Sequence, residues 1–207
     1  MKILPASDAG IREAVAALRR GAVVGYPTET VYGLAVDPFS ERALEALYRV
    51  KGRDPRQPVL LIVADESQLG SLTSEVSPEA RRLIQAFWPG SLSLLLPPAA
   101  EVPATLLGPE GKVCVRCPGA PIARALCAAF SGPLTSTSAN LSGAPAARTA
   151  RAALLPGVAL VLDGGTLPES APSTVVDPDS GEVLREGATP VTALAALYPG
   201  LRAKKKS

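Results

Sequence analysis

The chain has 207 residues, of which 47% are hydrophobic and 19% charged, and it contains no histidine. Such a length and apolar fraction suit one large domain with a substantial core. The missing histidine excludes Ser-His-Asp and Cys-His nucleophilic machinery and histidine-liganded zinc. Any chemistry must therefore run on Lys, Arg, hydroxyls, carboxylates, metal or groups of a substrate.

The formal net charge is +2, but Arg202, Lys204, Lys205 and Lys206 fall in the last six residues, and without them the balance is −2. A basic field is thus local, and the end from residue 201 to 207 reads as a solvated, disordered tail. No apolar run reaches the roughly 18 residues of a membrane span. Three cysteines and no signal peptide fit a reducing cytoplasm. Cys114 and Cys117 form a C-x-x-C, but within a strand-like run, so they point to opposite faces and read as ordinary half-buried thiols.

In chain order, Ser7-Asp8 caps a first helix with Ile11, Val15 and Leu18 on one face, ending at Gly21. "AVVGYPT" reads as a short strand. Ser40 starts a second helix that ends near Gly52. "PVLLIVA" is a continuous apolar run, as in a strand covered on both faces. Ser77-Pro78-Glu79 opens a third helix, which stops at Trp88-Pro89-Gly90. "SLSLLL" and "KVCVRC" are strands, Pro121 opens a helix through Phe130, and "PLTSTSA" is a strand. Arg148 to Leu155 reads as helical and "VALVLDGG" as a strand. "STVVD" and "EVLREG" flank a hairpin-type turn, and Thr189-Pro190 opens the last helix. There is no repeat and no linker. The alternation predicts a single α/β domain over residues 1–200, with a twisted, open, mixed β-sheet flanked by helices.

Polar clusters interrupt this pattern. Thr28 and Thr30 follow a strand directly, at the end where open α/β sheets place ligands; a turn that satisfies its own backbone is the other reading. "KGRDPRQP" sets Lys51, Arg53 and Arg56 at a helix end, where cations suit the dipole and also suit a polyphosphate. It is not a P-loop. Arg116 is one cation in an apolar strand. "TSTSAN", Thr135 to Asn140, ends a strand in a row of hydroxyls and an amide, each costing roughly 1–3 kcal/mol if buried unpaired. Ser173 and Arg185 sit in later strand-like runs. Together these residues describe a pocket of hydroxyls and cations without a general base. Such a pocket works by orientation and charge stabilisation.

The ordered motifs "YPTETVYGL", "KGR…P", "FWPG", "VRCP", "TSTSANLSG", "STVVD" and "LREG" resemble the YrdC-like family, the threonylcarbamoyl-AMP synthases, over about residues 8–190. The resemblance implies a positively charged concave groove. It also implies a reaction in which L-threonine, bicarbonate or CO2 and ATP give threonylcarbamoyl-AMP and pyrophosphate, with Mg2+ sharing the phosphate charge. A transferase complex then passes the threonylcarbamoyl group to a tRNA adenosine. By resemblance, Thr28, Thr30, Arg116, Ser136 and Ser173 belong to the threonine and carbamate site, with Arg116 bidentate to the threonine carboxylate. Lys51, Arg53, Gln57, Ser138, Asn140 and Arg185 belong to ATP, with Lys51 and Arg53 on the phosphates. Asp54, Gln57 and Ile62 depart from the family pattern. The chain ends soon after the core, whereas longer members carry an extra domain over the site, so loops, or nothing, close the pocket here. Two other readings compete. A noncatalytic RNA binder of the same fold, touching tRNA or double-stranded RNA, is weakened by the near-neutral body and the few aromatics. A Ser-Lys hydrolase using Lys51 with Ser136 or Ser138 lacks a glycine-rich oxyanion loop.

Overall fold

In a computed structural model that describes residues 1–203, the strands are β1 (Lys2–Pro5), β2 (Val23–Pro27), β3 (Tyr32–Ala35), β4 (Leu60–Ile62), β5 (Leu92–Leu96), β6 (Val113–Arg116), β7 (Leu134–Ser138), β8 (Val158–Asp163), β9 (Thr174–Asp177), β10 (Glu182–Arg185) and β11 (Arg202–Ala203). The helices are α1 (Asp8–Arg19), α2 (Glu41–Lys51), α3 (Pro78–Phe87), α4 (Pro121–Phe130), α5 (Ala150–Ala153) and α6 (Val191–Leu197). Residues 204–207, the rest of the expected tail, lie outside the described residues.

The three serine caps act as the sequence predicts. The Oγ atoms of Ser7, Ser40 and Ser77 accept from the backbone N–H of Gly10, Ala43 and Ala80. Each satisfies one of the orphan donors of a first helical turn. Gly52 closes α2 in the left-handed conformation at φ 56°, a place where a Cβ would be strained.

The strands form one mixed sheet in the order β1-β8-β2-β3-β7-β4-β6-β5-β9-β10-β11. Pleating sorts its side chains into two cores. Val24, Tyr26, Ala35, Ile62 and Leu134 share one face with α1 and α4 residues such as Val15, Leu18 and Leu126. Leu34, Leu61, Leu94, Val115 and Val176 fill the opposite face under Leu47, Leu83, Ala153 and Leu194 of the other helices. The α1–α4 layer covers only part of its face. The registers place Gly33, Ser138, Ser136, Leu60, Arg116, Ser93 and Val175 on the uncovered part. That exposed strip is where the site forms.

Four expectations need correction. Tyr32–Ala35, to which the sequence reading assigns no element, is strand β3, buried on both faces. Lys2–Pro5 adds an edge strand beside β8. The helix expected over 148–155 is one turn, capped by Thr149. Arg202–Ala203 pairs in parallel with Glu182–Val183 instead of opening a loose tail at 201, because β10 otherwise exposes a row of unpaired backbone groups.

Candidate active site

The uncovered strip is a groove of about 570 Å³ that reaches Thr28, Thr30, Ser136, Ser138, Ser173 and Arg185. Its charged lining residues are Arg53, Arg116 and Arg185. Eight of the eleven residues expected in the site, Arg53 and Arg116 among them, therefore share one cavity. Lys51, Gln57 and Asn140 take other positions.

Thr28 and Thr30 form the turn after β2. Thr28 Oγ1 donates to Val31 O at 2.6 Å and accepts from the N–H of Thr30 at 3.1 Å and of Val31 at 3.2 Å. The two threonine hydroxyls meet at 3.0 Å. Both readings of this turn therefore hold at once: it satisfies its own backbone, and it lines the groove.

Arg116 at the end of β6 is 4% exposed. Its Nε donates to Gly90 O at 2.8 Å, and Nη2 meets Ser91 Oγ at 3.3 Å and pairs with Glu29 Oε1. Glu29 was not legible as a site residue. Its Oε1 also accepts from the Gly119 N–H at 2.9 Å, and Oε2 from the Ala120 N–H at 3.4 Å, where α4 begins. The Nε–Nη2 edge of Arg116 is thus occupied by protein. A bidentate contact from a ligand carboxylate on that edge would have to displace Glu29.

Lys51 is 3% exposed. Its Nζ donates to Ser138 O at 2.5 Å, Asn140 O at 3.0 Å and Asn140 Oδ1 at 3.2 Å. All three donors of the ammonium are spent on the last residue of β7 and the loop that follows it. The direct phosphate contact expected of Lys51 is therefore not arranged here, since Lys51 holds the serine-asparagine loop instead. Burial, reinforced by the Arg53 guanidinium, lowers it to about 8. The Ser-Lys hydrolase reading fails on the same geometry, because Nζ reaches neither serine hydroxyl.

Arg53 does reach the groove. Its Nη1 donates to Thr137 Oγ1 at 3.3 Å and Nη2 to Pro58 O at 2.7 Å, while Nε is buried without a partner. Burial lowers its pKa. Gln57 is exposed beside the groove, and its backbone N–H closes the turn to Asp54 O at 3.0 Å. Asp54 spends its carboxylate on Arg56, which accounts locally for one departure from the family pattern.

The hydroxyl row splits by strand alternation. Thr135 is fully buried on the opposite face, where its Oγ1 accepts from the Val36 N–H at 2.8 Å. Ser136 and Ser138 face the groove. Ser136 Oγ lies 2.7 Å from the hydroxyl of the fully buried Tyr26. Ser173 Oγ meets Ser93 Oγ at 2.9 Å and Arg185 Nη2 at 3.2 Å. Ser93 in "SLSLLL" is a further site residue that the sequence reading passed over; a hydroxyl amid leucines was its signal. Ser170 and Pro172 line the groove as well, and Ser170 Oγ donates to Thr30 O at 3.2 Å. The segment after β8 therefore runs along the site, as a closing loop would.

Among the described residues no three His, Cys, Asp or Glu side chains gather as a metal cage. The groove lining holds no carboxylate, and Glu29, beside Arg116, is committed to that guanidinium, Ser91 Oγ and two backbone N–H groups. The protein residues thus do not build a site for a hard divalent ion, which prefers carboxylate oxygens. The cysteines are free. Cys114 lines the groove, whereas Cys117 lies in the core, on the other side of the sheet.

A mixed sheet flanked by helices, with an arginine- and hydroxyl-lined groove on one face, defines an α/β fold with a ligand-sized cavity. The Sua5/YciO/YrdC family model, described as telomere recombination, matches residues 16–187, and the chain belongs to this family. It is similar to the threonylcarbamoyl-AMP synthase of Chromohalobacter salexigens, at 43% identity over 84% of this chain and 96% of that one. The Vibrio cholerae protein of the same name is 39% identical over 86% of this chain and 97% of its own. Among solved structures, P. abyssi Sua5 complexed with L-threonine superposes with a TM-score of 0.91 at 31% identity, covering 100% of this chain and 64% of that one. E. coli YciO gives a TM-score of 0.80 at 30% identity over 94% and 98% of the two chains. No helix among the described residues is long and apolar enough to cross a membrane.

Proposed function

We propose that the chain makes threonylcarbamoyl-AMP from L-threonine, bicarbonate or CO2 and ATP, and releases pyrophosphate. The threonine amine adds to the carbon of bicarbonate with loss of water, giving a carbamate. A carbamate oxygen attacks the α-phosphorus of ATP, and the bond to the β-phosphate oxygen breaks. No protein nucleophile is needed. The chemistry asks for anion binding and orientation.

The observation that carries this reading is the groove lining, with three guanidiniums and a double row of hydroxyls on one sheet face and no general base among them. Arg53 would hold phosphates, with Ser136, Ser138 and Arg185 along the nucleotide. Arg116, Thr28, Thr30 and Ser173 would hold threonine. Lys51 and Asn140 shape the loop that carries Ser138. Mg2+ would travel with the ATP phosphates, since the residues present build no site for it. The product is a mixed anhydride, which suits a transferase acting on tRNA.

The test is pyrophosphate release from ATP by the purified protein, with and without threonine and bicarbonate. Release that needs both co-substrates is the expected result. No release from folded, ATP-bound protein would overturn it in favour of a binding role.

A further inference from the structure

We propose that Tyr26 and the Lys51–Asn140 pair fix opposite hydrogen-bond polarities on Ser136 and Ser138, so that the groove offers a donor at Ser136 for an anionic phosphoryl or carbamate oxygen and an acceptor at Ser138 for a hydroxyl or amine of the nucleotide. The inference rests on the nucleotide reading of the groove given above.

Tyr26 sits on β2, two strands from Ser136. Its ring crosses β3 at Gly33, where a Cβ would come within 3.1 Å of the ring. Only a glycine leaves that path open. The phenol is 0% exposed and meets Ser136 Oγ at 2.7 Å. Burial raises its pKa, although the Ser136 bond opposes this, so the hydroxyl keeps its proton. Two arrangements are available. If Ser136 donated, the phenolic hydrogen would lie buried with no acceptor, at roughly 1–3 kcal/mol. If Tyr26 donates, both groups are satisfied. The second wins, so the hydrogen of Ser136 is left for the groove.

Ser138 is fixed the opposite way. An ammonium has only donors, so the atom of Asn140 that faces Lys51 is its oxygen. The other amide atom faces Ala144 O, an acceptor, and must be nitrogen. Asn140 Oδ1 carries no hydrogen, so Ser138 Oγ, in contact with it, donates. Ser138 therefore turns lone pairs into the groove. The two serines share a face at a spacing of roughly 6.5 Å. A bound nucleotide meets a donor and then an acceptor, and this dictates its direction along β7.

Tyr26 is thus a positioning residue acting through Ser136. The test is equilibrium binding of ATP and of adenosine to wild type, Tyr26→Phe, Ser136→Ala and the double variant, with thermal melting of each. Tyr26→Phe should weaken ATP about 10-fold, the worth of one hydrogen bond to a charged group, and leave adenosine unchanged. The double variant should bind ATP no more weakly than Ser136→Ala. It should also melt higher than Ser136→Ala, in which the phenol is orphaned. Multiplying losses, equal losses for ATP and adenosine, or wild-type ATP binding by Tyr26→Phe would each overturn the inference. Should Tyr26→Phe not fold, fluorotyrosine at position 26, a stronger donor, should hold ATP at least as tightly as wild type; weaker binding would overturn it. Wild type that binds no ATP would instead overturn the functional reading itself.

Discussion

Arg116 at the end of β6 pairs with Glu29 in the turn after β2, and the same carboxylate accepts the N–H groups of Gly119 and Ala120. One acid thereby joins three separate segments at the groove wall. It holds a guanidinium that is itself only 4% exposed. Arg116→Ala should raise the KM for threonine roughly 100-fold and that for ATP far less, because a carboxylate ligand loses its charge-assisted partner. Glu29→Ala should show the same split at roughly 10-fold, since Arg116 keeps Gly90 and Ser91 but loses its ion pair. Steady-state kinetics with each substrate varied checks both. Equal effects on the two substrates would remove threonine from this end of the groove.

On the proposed reading Arg53 holds phosphates, and its unpaired buried Nε shows that its bonds to Thr137 and Pro58 do not exhaust it. Arg53→Ala should abolish measurable pyrophosphate release while circular dichroism and cooperative melting persist. The loss of two hydrogen bonds is offset by removal of a buried unpaired donor. Turnover at the wild-type rate would exclude the phosphate role.

Lys51 predicts opposite pH trends for function and stability. Burial and Arg53 bring it from the ordinary 10.5 to about 8. Below pH 8 its three N–H donors match three acceptors. Above it the neutral amine has one donor too few, and the loop carrying Ser138 loosens. ATP affinity should fall along an alkaline limb centred near pH 8. In the window between the folded value and the ordinary 10.5, the unfolded chain binds more protons than the folded one. The contribution of this group to stability therefore rises with pH there. Lys51→Met should bind ATP weakly with no such limb. Urea melts of both proteins across the window check the sign. A limb that persists in Lys51→Met would assign it to another group.

The legible parts of the fold were those with local causes. Ser7, Ser40 and Ser77 announce helix starts because a cap acts within three residues. β3 was hidden because Tyr32–Ala35 is buried on both faces and so lacks alternation. At the site, hydroxyls and lone cations were legible because a core strand has no use for them. Glu29 was not, since a carboxylate in a polar turn reads as solvated until Arg116, 87 residues away, is brought beside it. Lys51 was legible as important but not as a loop anchor. Which oxygens it meets depends on how β7 ends, and that is a tertiary fact.

Gly33 links fold and site most directly. A Cβ there would lie 3.1–3.2 Å from three atoms of the Tyr26 side chain. That ring is fully buried, so it cannot swing into solvent to relieve the contact. Overpacking of this kind costs roughly 1–3 kcal/mol. Gly33→Ala should therefore lower the melting temperature and draw the phenol off Ser136. ATP should bind about as weakly as to Tyr26→Phe, and combining the two substitutions should add little. Gly70→Ala is the control, because a Cβ there meets nothing within 4 Å and should leave both readouts near wild type. If Gly33→Ala weakened ATP binding equally in the Tyr26→Phe background, the alanine would be acting on the groove directly and not through the tyrosine.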